Sequence, residues 1–344
     1  MNPDKITLRS HRPPMVPSDD RPLATWRDWK RLAAISLGYL SAAIWPRRWD
    51  GWLIDRMASL FLLFAVEKVK QLANLMGQVL GPAATGCDLL QAARHHYYMR
   101  LEDAWGRIRD LHPQGWEPQV EAEGLEHVRQ GLAAGRGVIL WGMFFCGSTV
   151  TKAALWRAGI RLVHLSRADH GAPSLTRLGL GVAAALYCRA ETRYLDRRIV
   201  IPLEGSPAYL RELMNLLDSN VCLSIAGEIA GKPSVCARLF GGAARFATGA
   251  PVLAWKKQSA LLTCYVVREG RRRYRVVIEA PIATDRTLPR DEFVEAAVEQ
   301  FARRLEDHIA RHPADWQGWH MADRISDLTD PFPAGAARRE SLSL

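Results

Sequence analysis

The 344-residue chain has no CxxC pair. Its six cysteines, Cys87, Cys146, Cys188, Cys222, Cys236 and Cys264, are widely separated. Most lie in apolar runs such as Val221-Cys-Leu-Ser-Ile225 and Leu262-Thr-Cys-Tyr-Val266. That excludes a disulfide framework or a zinc module and fits buried, reduced thiols in a cytosol-facing protein. The N-terminus lacks a cleavable signal pattern, because its first apolar stretch comes late and has no small-residue cleavage site. That stretch, residues 32–45, is also shorter than the about 20 residues a spanning helix needs. There is no P-loop, no dinucleotide glycine pattern, no metal-ligand cluster and no nucleic-acid module. Internal repeats and low-complexity tracts are absent as well.

What the chain does have is positive charge and tryptophan. The 46 Lys and Arg outnumber the 36 Asp and Glu, for a formal net charge of +10. A phospholipid surface, nucleic acid or an acidic carrier protein would each complement it. Without interleaved arginines and aromatics on one face, basicity alone does not argue for nucleic acid. Twelve tryptophans favour places with one apolar and one wet side, membrane interfaces included.

Composition divides the chain into four parts. Residues 1–23, rich in Pro, Asp, Arg and Ser, read as a disordered tail. Residues 24–80 carry two apolar runs, 32–45 and 52–66, the second interrupted by Asp55 and Arg56. Both runs are flanked by Trp and Arg, which suits amphipathic helices lying in a bilayer interface. A hairpin packed on the core, or a short span by the first run, are the other readings. Residues 81–322 form the main domain, and 323–344 a loosely ordered tail.

Within the main domain the pattern predicts a helix from Leu89 to about Leu111, with Arg94, His95 and His96 on a polar turn. A buried strand, Val138-Ile-Leu-Trp141, leads through a Gly-Met turn toward a helix over 152–158. A strand over 161–165 follows, then an Arg-rich helical region reaching Arg198. A short strand from Ile199, a helix over 208–217 and a strand over 221–225 come next. Such alternation predicts an α/β sandwich with a largely parallel central sheet. Pro251-Val-Leu-Ala-Trp255 and residues 260–279 read as an antiparallel addition, with a hairpin tip at Glu269-Gly-Arg-Arg272. Residues 291–311 form an amphipathic helix with Phe293, Ala296, Ala297, Phe301, Leu305 and Ile309 on one stripe.

Several segments, taken in order, resemble one known family. They are Val120-Glu-Ala-Glu-Gly-Leu-Glu-His-Val128, then Ala134-Gly-Arg-Gly-Val-Ile-Leu140, then Arg167 after the strand His164-Leu-Ser166. Residues 213–228, Thr248-Gly-Ala-Pro-Val-Leu253, Tyr274-Arg-Val-Val-Ile-Glu-Ala-Pro-Ile282 and His312-Pro-Ala-Asp-Trp-Gln-Gly-Trp-His320 complete the series. Together, over roughly residues 25–322, they resemble the lipid A late acyltransferases, the lauroyl and myristoyl transferases of the lysophospholipid acyltransferase superfamily. The resemblance implies an acyltransferase-type α/β sandwich seated by its N-terminal helices on the cytoplasmic face of the bacterial inner membrane. It implies a histidine, oriented by a glutamate, that deprotonates an acceptor hydroxyl. The resulting oxygen attacks an acyl thioester carried by acyl carrier protein or coenzyme A, with no bound cofactor.

Phe144 and Thr149 stand at the family's histidine and glutamate positions, and phenylalanine cannot act as a base. The family's Asp-Gln pair reads here as Gly227-Glu228, and the loop after it is shortened to residues 231–241. Four residues are therefore candidates for the missing chemistry. Cys146, at a strand-to-helix turn, is a nucleophile or a buried thiol. His164 and His170, bracketing Arg167, are substitute bases or hydrogen-bonded bystanders. Glu228, at a strand end, is a substitute acid or a surface carboxylate.

Phe144 and Phe145 suit the wall of an acyl pocket, and Thr149 a helix N-terminus. Arg167, with Arg177, Arg189, Arg193, Arg197 and Arg198, would hold a phosphate or a phosphopantetheine arm, or else form a solvated helix face. His320, with Trp316 and Trp319, reads as seating the C-terminal helix. Arg271 to Arg273 read as a solvated tip touching anionic lipid. Two functions remain open: an acyltransferase with an atypical base, moving an acyl group to a hydroxyl or amine of a lipid-like acceptor, and a non-catalytic relative that binds lipid or scaffolds a partner.

Overall fold

The computed structural model describes residues 21–201, 208–227 and 233–327. Glu228, most of the N-terminal tail and nearly all of the C-terminal tail lie outside the described residues. Three N-terminal helices, rather than two, precede the main domain: α1 (Trp26–Ile44), α2 (Asp50–Phe64) and α3 (Val66–Leu80). They pack on α4 (Leu89–Asp110), which the Asp88 side chain caps by accepting from Gln91 N at 2.9 Å.

Buried polar groups lock this layer in place. Arg109 on α4 donates through Nε to both oxygens of Asp50 at 3.1 Å and through Nη2 to Trp45 O at 2.8 Å. Asp28 on α1 accepts from Thr25 N at 2.6 Å and from the Thr176 hydroxyl at 2.9 Å. Each bond satisfies a group whose burial would otherwise be costly.

The outer side of the layer is apolar and exposed. On α1, Trp26, Trp29, Leu37, Leu40 and Ile44 recur at helical spacing along one face. Trp52, Leu60, Leu63 and Phe64 continue the surface on α2, with Ile44 84% and Phe64 85% exposed. Lys30, Arg48 and Arg56 each lie over an exposed tryptophan ring, Trp26, Trp49 and Trp52 in turn. No helix among the described residues is long and apolar enough to cross a membrane.

The main domain is built on a seven-stranded sheet in the order β1-β9-β8-β2-β5-β3-β4. The strands are β1 (Gln119–Glu123), β2 (Val138–Gly142), β3 (Leu162–Arg167), β4 (Arg197–Ile201), β5 (Cys222–Ala226), β8 (Ala260–Gly270) and β9 (Arg273–Ile278). All neighbours pair in parallel except β8 and β9. Between them run α5 (Leu125–Ala133), α6 (Ser148–Arg157), α7 (Ala184–Thr192), α8 (Ala208–Asp218), α9 (Gly249–Lys257) and α10 (Arg290–Arg311). The mixed α/β architecture with a largely parallel centre is the one the alternating pattern predicts.

Alternate residues of each central strand enter different cores. Ile139, Trp141, Leu223 and Leu261 join the stripe of α10, where Phe293, Ala297, Phe301, Leu305 and Ile309 are all buried. Val138, Leu140, Cys222 and Leu262 face the other way, toward Val150, Ala154 and Leu155 of α6.

Four expectations change. Pro251-Val-Leu-Ala-Trp255 is helical, in α9. Proline is tolerated in a first turn, and Ala250, Leu253 and Ala254 are buried at helical rather than alternating spacing. Arg197 and Arg198 belong to β4, not to a helix, and α7 ends at Thr192. His96 is buried, its Nδ1 3.0 Å from Ala314 O. The hairpin tip is docked rather than free: the Arg272 amide donates to Glu102 at 2.8 Å, its guanidinium lies over Trp116, and Arg271 pairs with Asp55.

One element escaped the sequence reading altogether. Strands β6 (Ser234–Leu239) and β7 (Gly242–Ala247) form an antiparallel hairpin, to which β10 (Ser326–Asp327) adds a third strand.

Candidate functional site

Two polar regions stand near the carboxyl edge of the parallel strands, where α/β folds place their ligands. The first is the turn from β2 into α6. Gly147 sits at φ 63°, and a Cβ there would come within 3.1 Å of the Val150 side chain. Its amide donates to Asp103 on α4 at 3.1 Å.

A segment of residues 314–317 straps across the turn. Cys146 N donates to Asp315 O and Gln317 N donates to Phe144 O, both at 2.8 Å. The strap also forms a β-bridge between Phe145 and Trp316. Phe145 is buried against Tyr265, with ring centroids 5.5 Å apart, and Thr149 is buried at the start of α6. Phe144, in contrast, is 41% exposed and meets the His320 ring edge-on at 5.9 Å.

Cys146 has the environment of an inert thiol. It is buried and donates to Val266 O at 3.4 Å. Burial pushes its pKa well above the ordinary thiol value, and the Asp315 and Asp103 carboxylates push the same way. Asp315 itself is pushed up to about 7 by burial, with Arg268 N donating to it at 3.3 Å.

The second region lies on the sheet face covered by α6 and α7. His164 on β3 pairs in register with Arg198 on β4 and Ser224 on β5, so the three share one row. Its Nδ1 is 3.2 Å from the Ser224 hydroxyl. Glu191 of α7, fully buried, takes Lys152 of α6 at 2.8 Å, Arg198 at 2.7 Å and His170 Nε2 at 3.2 Å. Burial alone would raise the Glu191 pKa, but Lys152, His170 and Arg198 hold it well below the carboxylate range. His164 is pushed well below the histidine range by burial and then by Lys152.

His164, His170 and Glu191 bring one ligand atom each within 4.8 Å of one another. Lys152 and Arg198 already compensate the carboxylate, and a divalent cation would add charge to a buried group that is net positive without it. The cluster is an ion network rather than a metal centre.

The structure thus unites His164 with His170, while Phe144, Phe145 and Cys146 meet the strap. Arg167 does not join either group; it is exposed and forms a two-pronged pair with Asp169 at 2.8 and 2.9 Å. Of the other arginines Arg198 joins the Glu191 network, while three have partners or positions elsewhere. Arg193 donates to the carbonyls of Asp110, His112 and Pro113, Arg197 pairs with Glu212, and Arg189 is exposed. Lys152, Glu191, Ser224 and Asp315 were not singled out from sequence. Lys152 offered a signal, being one helical turn from Thr149; Glu191 offered none.

This architecture, a largely parallel sheet carrying a strand–turn–helix at its centre, is consistent with an acyltransferase-type α/β fold. Residues 188–321 match the model of the bacterial lipid A biosynthesis acyltransferase family, and the match supports the family assignment and an acyltransferase-like function in lipid biosynthesis. It runs from α7 through the strap, and so includes both Glu191 and His320. No curated protein matches the chain.

Proposed function

We propose that the protein transfers a fatty acyl group from a thioester, on acyl carrier protein or coenzyme A, to a hydroxyl or amine of a lipid-like acceptor. It does so on the anionic, cytoplasmic face of a bacterial inner membrane. The observation that carries this reading is the exposed apolar face of α1 and α2, edged by tryptophans under arginine and lysine. Such a face suits a bilayer interface, where each buried leucine contributes about 1.5–3 kcal/mol and each nearby cation about 1 kcal/mol. An acceptor held in that membrane would then present its hydroxyl or amine to the sheet edge. Its nucleophilic atom loses a proton, attacks the acyl carbonyl carbon and expels the thiolate, which takes up a proton.

A second reading has its own support. Phe145, Cys146 and Thr149 are buried and the strap is bonded over them, which suits a non-catalytic relative that holds lipid without transferring it. One experiment separates the two. Purified protein is incubated with acyl-carrier and acyl-CoA thioesters and membrane lipid, and acylated product is measured by mass spectrometry. Turnover above the uncatalysed rate supports transfer. Its absence, with acyl chains co-purifying, would sink it in favour of the binding protein.

A further inference from the structure

We infer that His320 is the general base of this acyl transfer, an inference that rests on the transfer reading above. The reaction needs an imidazole with a free ring nitrogen, open to an incoming acceptor. Four histidines near the sheet do not meet that requirement. His164 is buried on Ser224, and His308 is buried with both ring nitrogens within 3.0 Å of Glu279 or Arg311. His96 is buried on Ala314 O, and burial lowers its pKa to about 4. His170 spends Nε2 on a carboxylate that two cations already hold.

His320 is exposed. Its Nδ1 lies 2.9 Å from the Gln317 carbonyl oxygen, which can only accept, so Nδ1 carries the proton and Nε2 keeps its lone pair. That one bond orients the ring. Gln317 N in turn donates to Phe144 O at 2.8 Å, which fixes the strap to the turn beyond β2. The ring is thereby presented against the exposed Phe144 side chain, at the carboxyl end of the central strand.

The short 3-10 turn that carries it, Gly318–Arg324, packs on α3 of the N-terminal layer. In the step itself, Nε2 takes the proton of the acceptor hydroxyl or amine as the oxygen or nitrogen bonds to the acyl carbon. The carbon–sulfur bond breaks, and the imidazolium returns the proton to the leaving thiolate.

The test compares wild-type protein with His320→Gln, His170→Gln and the double variant His320→Gln/Phe144→His, each assayed with the same thioesters over a range of pH. The inference expects His320→Gln to lower kcat by about 10²- to 10⁴-fold, with melting temperature and vesicle binding unchanged. The acidic limb of the pH–rate profile should flatten. Placing an imidazole on the other side of the same contact, in the double variant, should recover part of the rate. Full turnover and an unchanged profile in His320→Gln overturn the inference while leaving acyl transfer intact, as does a loss confined to His170→Gln. A wild-type protein inactive with every thioester overturns both.

Discussion

His170 and His320 stand near one edge of the same sheet and are built in opposite ways. His170 is tied to a carboxylate that is wholly buried and ion-paired to Lys152 and Arg198. His320 is exposed, held by one bond to a backbone carbonyl, with an aromatic face beside it. A compensated charge in a low-dielectric interior fixes the protonation of everything around it and resists change. A tethered ring at a surface keeps a lone pair within reach of a substrate. Stability and chemistry have separate addresses in this protein.

The comparison breaks most visibly at Glu191. Glu191→Gln leaves Lys152 and Arg198 buried without their counter-charge, and should cost about 3–5 kcal/mol in denaturant unfolding. Adding Lys152→Met should recover part of the loss. A cost below 1 kcal/mol would mean that the network is hydrated and that its histidines are open to substrate.

The exposed side is next. Leu37→Asp with Leu40→Asp removes two apolar groups from the α1 face. If each leucine contributes about 1.5 kcal/mol on burial, binding to vesicles containing anionic lipid should fall by about 100-fold in co-sedimentation. Thermal stability should hold. Unchanged binding would detach the exposed edge from any membrane.

Asp315, in the strap between the two regions, predicts a pH dependence. Its folded pKa, about 7, lies above the ordinary 3.8 because of burial. Between those values the folded state binds more protons than the unfolded one, so stability from this group falls as pH rises, by at most about 1.4 kcal/mol per pH unit. The stability of wild type relative to Asp315→Asn should therefore decline from pH 5 to 8. A difference that does not change with pH would rule out a proton held in the strap.

The smallest effect belongs to His320→Gln, which should shift unfolding by no more than about 0.5 kcal/mol. A larger cost would make His320 part of the packing, as the sequence first suggested.

Much of the fold was legible in order and period. The amphipathic stripe of α10, the buried runs of β2 and β5 and the β8–β9 hairpin all carry local signatures that burial then uses. Segment 251–255 misled because five residues are too few to separate a helix from a strand, and α9 is decided by what Leu253 and Ala254 pack against. In the β6–β7 hairpin, β6 was hidden in residues 231–241, read as a shortened loop, and β7 had no reading at all.

The candidate site was legible by subtraction. Phe144 and Thr149 showed where a base and its acid are missing, while the histidine touching Phe144 lies 176 positions further along the chain.

The sequence by itself determined the α/β class, the basic charge, the apolar and tryptophan-rich N-terminal runs and the absence of a histidine at the turn after β2. Each of these is a property of composition or of short-range spacing. Only the tertiary structure decided that Cys146 is sealed in, that Glu191 pairs with two cations from other elements, and that the strap carries His320 to Phe144. Those are contacts between residues far apart in the chain, and close packing, not local propensity, brings them together.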